Sequence, residues 1–511
     1  MQNRSFDPIR VALYTEILSS IAEEMGVALE RTSSSPNIKE RRDYSCALFD
    51  KSGRMIAQAA HIPVHLGAME TLMKKWLIDG PPLEEGKMYI TNDPFFAGTH
   101  LPDISVIAPV FLDGKTIGFV ASRAHHADIG GAAPGSFAPV QNVHEEGFLI
   151  APSELNEEII ERVLERTRNP DERLGDLQAQ RASIHVGIHR FKEIAKRYGE
   201  RLDEYVEECL EYAHSLTRRT LAQIPNGVYE AEDVLEDVPK PGQFVKIALR
   251  VITEGDKIIF DFTGTGPQQD IGINATEAVT KSACYYVVRC LVPDAPTNGG
   301  CWGGITVITE PRTLVNAQYP APVVAGNTET SQRIVDVCLQ ALSKALPDVI
   351  PACSQGTMNN LALGTEKWTY YETIAGGAGG GPRRRGASAI HTHMTNTRNT
   401  PIEALEVEFP LQAMRYAIRS SSGGKGKMPG GDGVVREIRV LEEGVILSLM
   451  TDRRVVSPPG FAGGEGGKPG RNVLIRQGKE ESLPSKGAWI LNAGDTIRIE
   501  TPGGGGFGSK S

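Results

Sequence analysis

The sequence predicts an α+β protein: mixed sheets in several layers, a helical segment in the middle of the chain, and a β-rich, glycine-rich C-terminal region. Three observations carry this prediction. Short apolar runs separated by Gly, Pro and Asp fill much of the chain on both sides of its middle, as strands and their turns do. Between them, residues 153–223 are densely charged with an apolar period near 3.6, the pattern of amphipathic helices. Of the 55 glycines, 27 fall in the last 141 residues, which concentrates turn chemistry at one end.

The elements follow in order. Asp7-Pro8 is a helix start, a capping residue followed by proline at the first helical position. Ile9, Leu13, Ile17, Ile21, Met25 and Ala28 then recur at helical spacing, so a helix is expected from 8 to about 31. From Tyr44 to Leu112 the runs CALFD, MIAQAA, MYITNDP and ISVIAPVFL, continued by GKTIGFVAS after Asp113-Gly114, read as strands and loops. Residues 153–223 read as helices broken at Asn169-Pro170. VKIALRVIT and KIIFDFTG, joined by Glu254-Gly255-Asp256, read as a hairpin, and helices are expected over 275–292 and 329–346. The domain organisation expected is therefore 1–150, an α/β region; 151–224, helical; and 225–511, β-rich with two helices.

Composition excludes several function classes. With 54 basic and 63 acidic side chains, net charge −9, the chain lacks the positive field of a general nucleic-acid binder. No membrane-spanning apolar run and no secretory leader pattern occur, so a cytoplasmic location is expected. The seven cysteines are dispersed without a CxxC pair, which gives neither a disulfide framework nor a thiolate zinc site. GGEGGKPG resembles a phosphate loop until Pro469 follows Lys468. The proline removes a backbone donor and no hydroxyl follows the lysine, so the glycines are read as turns and close backbone approaches.

The segment 91–131 concentrates ligand-type side chains: Asp93, His100, Asp103, His125, His126 and Asp128. His100 and Asp103 flank Leu101-Pro102, a stiffened loop that lets both side chains converge. His125-His126 follow a strand, where sheets end and functional loops begin. Two histidines with one or two carboxylates form an N/O set suited to Mn, Fe or Zn with positions left open. His61 and His65 are four apart, but Pro63 argues against a shared helix face. His391 and His393 would share one face of a strand. His144, beside Glu145, is a further candidate.

RRDYSCALFD, HIPVHLGAM, NDPFFAGTHLPDI, RAHHADIGG, HTHMTNTRNTPIE, SGGKGKMPGGDG and TPGGGGFG resemble the hydantoinase B/5-oxoprolinase family over essentially the whole chain. The resemblance implies the metal-bearing beta subunit of an ATP-dependent cyclic amide hydrolase acting on hydantoin, 5-oxoproline or a lactam. It implies a hydantoinase A-type ATPase partner that uses ATP to phosphorylate the substrate oxygen, in a heterotetramer or larger assembly, with no nucleic acid or membrane involved. The alternatives are a ketone carboxylase subunit and a non-catalytic scaffold for the ATPase. Carried over by motif, the ligands of a divalent Zn, Mn or Fe ion are Asp43, His100, Asp103 and one of His125 and His126. Neighbours on extended backbone point to opposite faces, so one of that pair reaches the ion. The other histidine is the candidate for contact with substrate or with the groups behind the ligands, and His144, Glu145 and Asp128 are the candidates for proton transfer.

Overall fold

The computed structural model describes residues 7–60, 62–238 and 240–509; His61 lies outside them. The N-terminal part runs α1 (Pro8–Thr32), α2 (Pro36–Lys39), β1 (Tyr44–Phe49), β2 (Met55–Ala60), α3 (His65–Asp79), β3 (Tyr89–Thr91), β4 (Asp103–Leu112), β5 (Lys115–His125), α4 (Val143–Glu146) and β6 (Ser153–Glu154). Asp7 caps α1 by accepting from the Ile9 and Arg10 amides, with Pro8 at the first turn. The strands form one sheet in the order β2-β1-β5-β4-β3-β6. β4 and β5 are near-continuously buried because helices cover both faces.

One face carries Cys46, Ile104 and Val120 against Met25 of α1 and Leu177 and Phe191 of the long helix described next. The other packs Phe49, Ile107 and Phe119 under Met69 and Trp76 of α3. Helix α3 was not foreseen in a stretch read as strands and loops; Pro63 stands just before it, and Leu66, Met69, Met73 and Trp76 form its buried stripe.

The charged segment folds as α5 (Glu157–Leu164), α6 (Pro170–Tyr198) and α7 (Arg201–Leu221). Asn169 caps α6 on the Glu172 amide. Val206 of α7 lies in the same core as α1 and the first sheet, so these helices and that sheet share one apolar interior.

A second sheet, in the order β10-β9-β8-β7, contains β7 (Gly227–Glu236), β8 (Phe244–Glu254), β9 (Lys257–Asp261) and β10 (Ile305–Ile308). It packs Ile247 and Phe260 against Val287 of α8 (Glu277–Leu291) and Val335 of α9 (Ser331–Ser343). A π-helical turn, Gly326–Thr330, leads into α9.

The C-terminal part contains β11 (Asn360–Gly364), β12 (Thr369–Glu372), α10 (Ile402–Glu408), β13 (Leu411–Arg419), β14 (Gly433–Val440), β15 (Val445–Met450), β16 (Arg471–Arg476), β17 (Lys479–Leu483), β18 (Lys486–Leu491) and β19 (Thr496–Glu500). Two sheets, β12-β11-β15-β18 and β13-β14-β19-β16-β17, bury Leu361 and Leu447 with Ile438 and Ile497 in one core. The α+β class expected from sequence is the class observed. His391 and His393 lie in a segment without regular structure rather than on a strand, and His393 has a left-handed φ of 56°.

The glycine runs pack on one another as extended chains. Gly504 donates to Gly431, Gly431 to Ala378, and Gly424 to Gly504. A Cβ at Gly504 would stand 2.0 Å from the Ala378 carbonyl oxygen, so this packing excludes any side chain there.

Candidate metal centre

The site lies where strands of the first sheet end together. β4 begins at Asp103, β5 ends at His125, and the two are paired across the ladder, which places their side chains on one face. Asp43 immediately precedes β1, and its carbonyl accepts the His125 amide at 2.9 Å. His100 arrives on the tight turn before β4, where the Asp103 amide donates to the His100 carbonyl at 3.1 Å.

Three potential ligand atoms thereby meet. His100 Nε2 lies 3.3 Å from Asp103 Oδ1, His125 Nδ1 lies 3.4 Å from the same oxygen, and the two nitrogens are 3.2 Å apart. All three residues are buried. His100 Nδ1 is 2.8 Å from the Val324 carbonyl, which can only accept. When that ring is neutral its hydrogen is therefore on Nδ1, and Nε2 turns a lone pair toward the cluster. Asp103 Oδ2 accepts from Thr99 Oγ1 at 2.5 Å, with His65 Nε2 and Asn327 Nδ2 each at 3.3 Å. Asp103 Oδ1 has no hydrogen-bond donor.

Burial alone would raise the Asp103 carboxyl, but the adjacent His100 and His65 hold it well below the usual carboxylate range. Burial pushes His125 down, against the pull of Asp43 and Asp103. An ionised aspartate beside a neutral imidazole has the protonation a divalent cation requires. Metal–ligand bonds of about 2.0–2.1 Å in a tetrahedral site give ligand–ligand edges of about 3.3–3.4 Å, close to the edges observed. The orphaned Oδ1 and the directed lone pair thus fit a divalent ion.

The surrounding side chains brace this cluster. Tyr371 stacks on His125 at 5.0 Å and on Phe137 at 4.9 Å, and its phenol donates to Asn360 at 2.8 Å. His65 is additionally fixed by Ser45 Oγ at 2.9 Å. A cavity of about 20 Å³ adjoins the cluster, lined among others by Asp43, His65, Asn327, Met358, Met394 and Thr397. That is room for about one water. A far larger groove of about 630 Å³ crosses β7 and β8; it is an open depression without histidine, so chemistry rather than size singles out the small cavity.

The structure brings His100, Asp103 and His125 together and sets Asp43 on the same cavity. His126 points to the opposite face, with Nε2 3.0 Å from Gln180 Oε1 of α6. Burial and the nearby Arg173 push it down to about 4. Asp128 is ion-paired with Arg168 at 3.1 Å and accepts from the Gly130 amide. His144 is exposed and meets the Tyr319 hydroxyl at 2.8 Å. None of these three lines the cavity. Sequence reasoning missed Thr99, Asn327 and Tyr371, and it set His65 behind the main cluster because Pro63 argued against a helix face shared with His61. Pro63 precedes α3, whose first residue is His65, and His61 lies outside the described residues.

RRDYS, THLPD and RAHH, which carried the resemblance, converge on this cluster. The sequence model for hydantoinase B/oxoprolinase matches residues 7–510. The chain belongs to the hydantoinase B/oxoprolinase family. The 5-oxoprolinase 1 of Arabidopsis thaliana is 40% identical over 544 residues, taking in 99% of this chain and 42% of the plant protein. The chain thus spans about two fifths of that relative's length. Among solved structures, ATP-dependent caprolactamase from Pseudomonas jessenii matches with a TM-score of 0.92 and 28% identity, covering 99% of this chain and 92% of that one. A nucleotide-free acetone carboxylase structure matches with a TM-score of 0.89 at 18% identity, covering 98% and 76%; it shares the fold. Among the described residues, no helix of this family member is long and apolar enough to cross a membrane.

Proposed function

We propose that the chain is the metal-bearing subunit of an ATP-dependent cyclic amide hydrolase. It opens a hydantoin, 5-oxoproline or lactam ring whose carbonyl oxygen has been phosphorylated by a hydantoinase A-type ATPase partner. The observation that carries this reading is the buried triangle of His100 Nε2, Asp103 Oδ1 and His125 Nδ1, with edges of 3.2–3.4 Å, in a chain of this family. These residues, with Asp43, would hold the divalent cation. When bound, such an ion supplies Lewis acidity and lowers the pKa of water from 15.7 toward about 7.

The chain's own groups do the rest. The Val324 carbonyl fixes the tautomer of His100, and the donors on Asp103 Oδ2 leave Oδ1 free for the cation. The stack of Phe137, Tyr371 and His125 holds the second imidazole in place. The small cavity excludes bulk water, so an amide whose oxygen has become a leaving group meets a single positioned nucleophile. Ring substrates exceed about one water in volume, so groups that line the cavity must give way to admit one.

The test is co-expression with an A-type chain. ATP-dependent ring opening without bicarbonate is expected, and the chain alone should show none. Strict dependence on bicarbonate with ketone consumption would instead establish the carboxylase alternative. His100→Ala and Asp103→Ala should each lower turnover by at least about 10³-fold while complex formation, followed by gel filtration, persists. Unchanged turnover in both would leave the chain as a scaffold for its partner.

A further inference from the structure

Glu146 closes helix α4 and is fully buried. Its Oε1 accepts the Val324 amide at 2.9 Å, and Oε2 has no hydrogen-bond partner. The carbonyl of that same Val324 accepts His100 Nδ1 at 2.8 Å. Glu146 and His100 therefore hold the N–H and the C=O of one residue, two groups on adjacent peptide planes joined at the Val324 Cα, and His100 turns its other nitrogen, the candidate ligand atom Nε2, to the cluster.

The contact is tightly packed. A Cβ at Gly272 would stand 2.7 Å from Glu146 Oε1 and 2.9 Å from a Val324 methyl, so glycine leaves the room in which carboxyl and peptide meet. The exposed neighbours His144 and Glu145 take no part. An acceptor on the far side of a ligating imidazole both fixes its orientation and raises its basicity, so a carboxyl that anchors the Val324 backbone also anchors that acceptor.

We propose that Glu146 is a positioning residue that anchors the Val324 backbone and thereby keeps the Val324 carbonyl where it holds His100 in its metal-binding orientation and tautomer. Its role is to accept the N–H of the residue whose carbonyl touches His100. The inference rests on the metal-site reading above. Burial raises the Glu146 carboxyl to about 8, although backbone donors oppose this, so the neutral acid prevails at neutral pH and an amide can replace it.

The experiment is Zn2+ affinity by chelator competition at pH 7, with a thermal melt of each apoprotein, for wild type, Glu146→Leu, Glu146→Asp, Glu146→Gln and His100→Ala. Glu146→Leu, which removes the acceptor, and Glu146→Asp, which retracts it, should weaken Zn2+ binding by about 10- to 100-fold. Glu146→Gln, which keeps a carbonyl oxygen in place, should stay within about threefold of wild type. If Glu146→Leu does not fold, the contrast between Asp and Gln gives the result. Equal affinity across all three, with only the melting temperature moving, would reduce Glu146 to a packing residue and overturn the inference. So would a Gln variant as weak as the Leu or Asp variant. Wild type that binds Zn2+ no better than His100→Ala would remove the site itself and the inference with it.

Discussion

Asp103 shows how much one residue's chemistry depends on which of its oxygens is engaged. Three donors meet Oδ2 and none meets Oδ1. The free oxygen is thereby left as an orphaned buried acceptor, open to the cation proposed above. Glu146 is the complementary case, a carboxyl that burial raises to about 8 from an ordinary 4.5. Between those values the native state binds more protons than the unfolded chain, so this residue's contribution to stability is largest below pH 4.5 and declines as pH rises toward 8. Glu146→Gln removes that titration. The variant should show a flatter stability profile between pH 5 and 8 and gain on the order of 3–5 kcal/mol over wild type at pH 8, measured by denaturant unfolding at several pH values. A wild-type profile unchanged by the substitution would show that Glu146 is ionised in the fold.

Among elements, the hairpin of β4 and β5 sets the site by register. Asp103 faces His125, and a slip of one residue would turn His126 inward and His125 outward. The glycine runs are an element of another kind, extended chains bonded through backbone alone. Gly504 cannot carry a methyl group, because the Ala378 carbonyl occupies its place, whereas a Cβ at Gly381 would meet nothing closer than 3.6 Å. Gly504→Ala should therefore lose about 3 kcal/mol or more, or fail to accumulate as folded protein. Gly381→Ala should stay within about 0.5 kcal/mol in the same denaturation assay. Equal effects at the two positions would contradict the packing described.

The whole molecule is needed to complete a site whose four candidate ligands all lie before residue 126. Val324, Asn327 and Tyr371 come from far along the chain, and Ile62, Val64 and Phe137 are buried in the core formed by β8, β9, α8 and α9. A fragment of residues 7–224 retains Asp43, His100, Asp103 and His125 but loses these braces. It should bind Zn2+ at least about 10-fold more weakly than the full chain in the same competition assay; equal affinity would mean that the distant residues contribute nothing to the centre. Local patterns made much of the architecture legible: the capped helix α1, strands β1 to β5 of the first sheet and the charged helices each follow from spacing and punctuation in their own residues, whereas β6 falls at the start of the stretch read as helical. The spacing of His100, Asp103 and the His125-His126 pair made that part of the cluster legible too, and the motif resemblance added Asp43. Helix α3 escaped because Gly and Pro break up the stretch around it and its short apolar stripe resembles the neighbouring strands. By itself the sequence determined which residue types are available as ligands, the order of the main elements and the family. Tertiary structure alone decided that His125 rather than His126 joins the cluster, that His65 and Asn327 meet Asp103, and that Glu146 reaches His100 through Val324. Those relations depend on strand register and on contacts between residues hundreds of positions apart, which no local pattern of spacing or composition records.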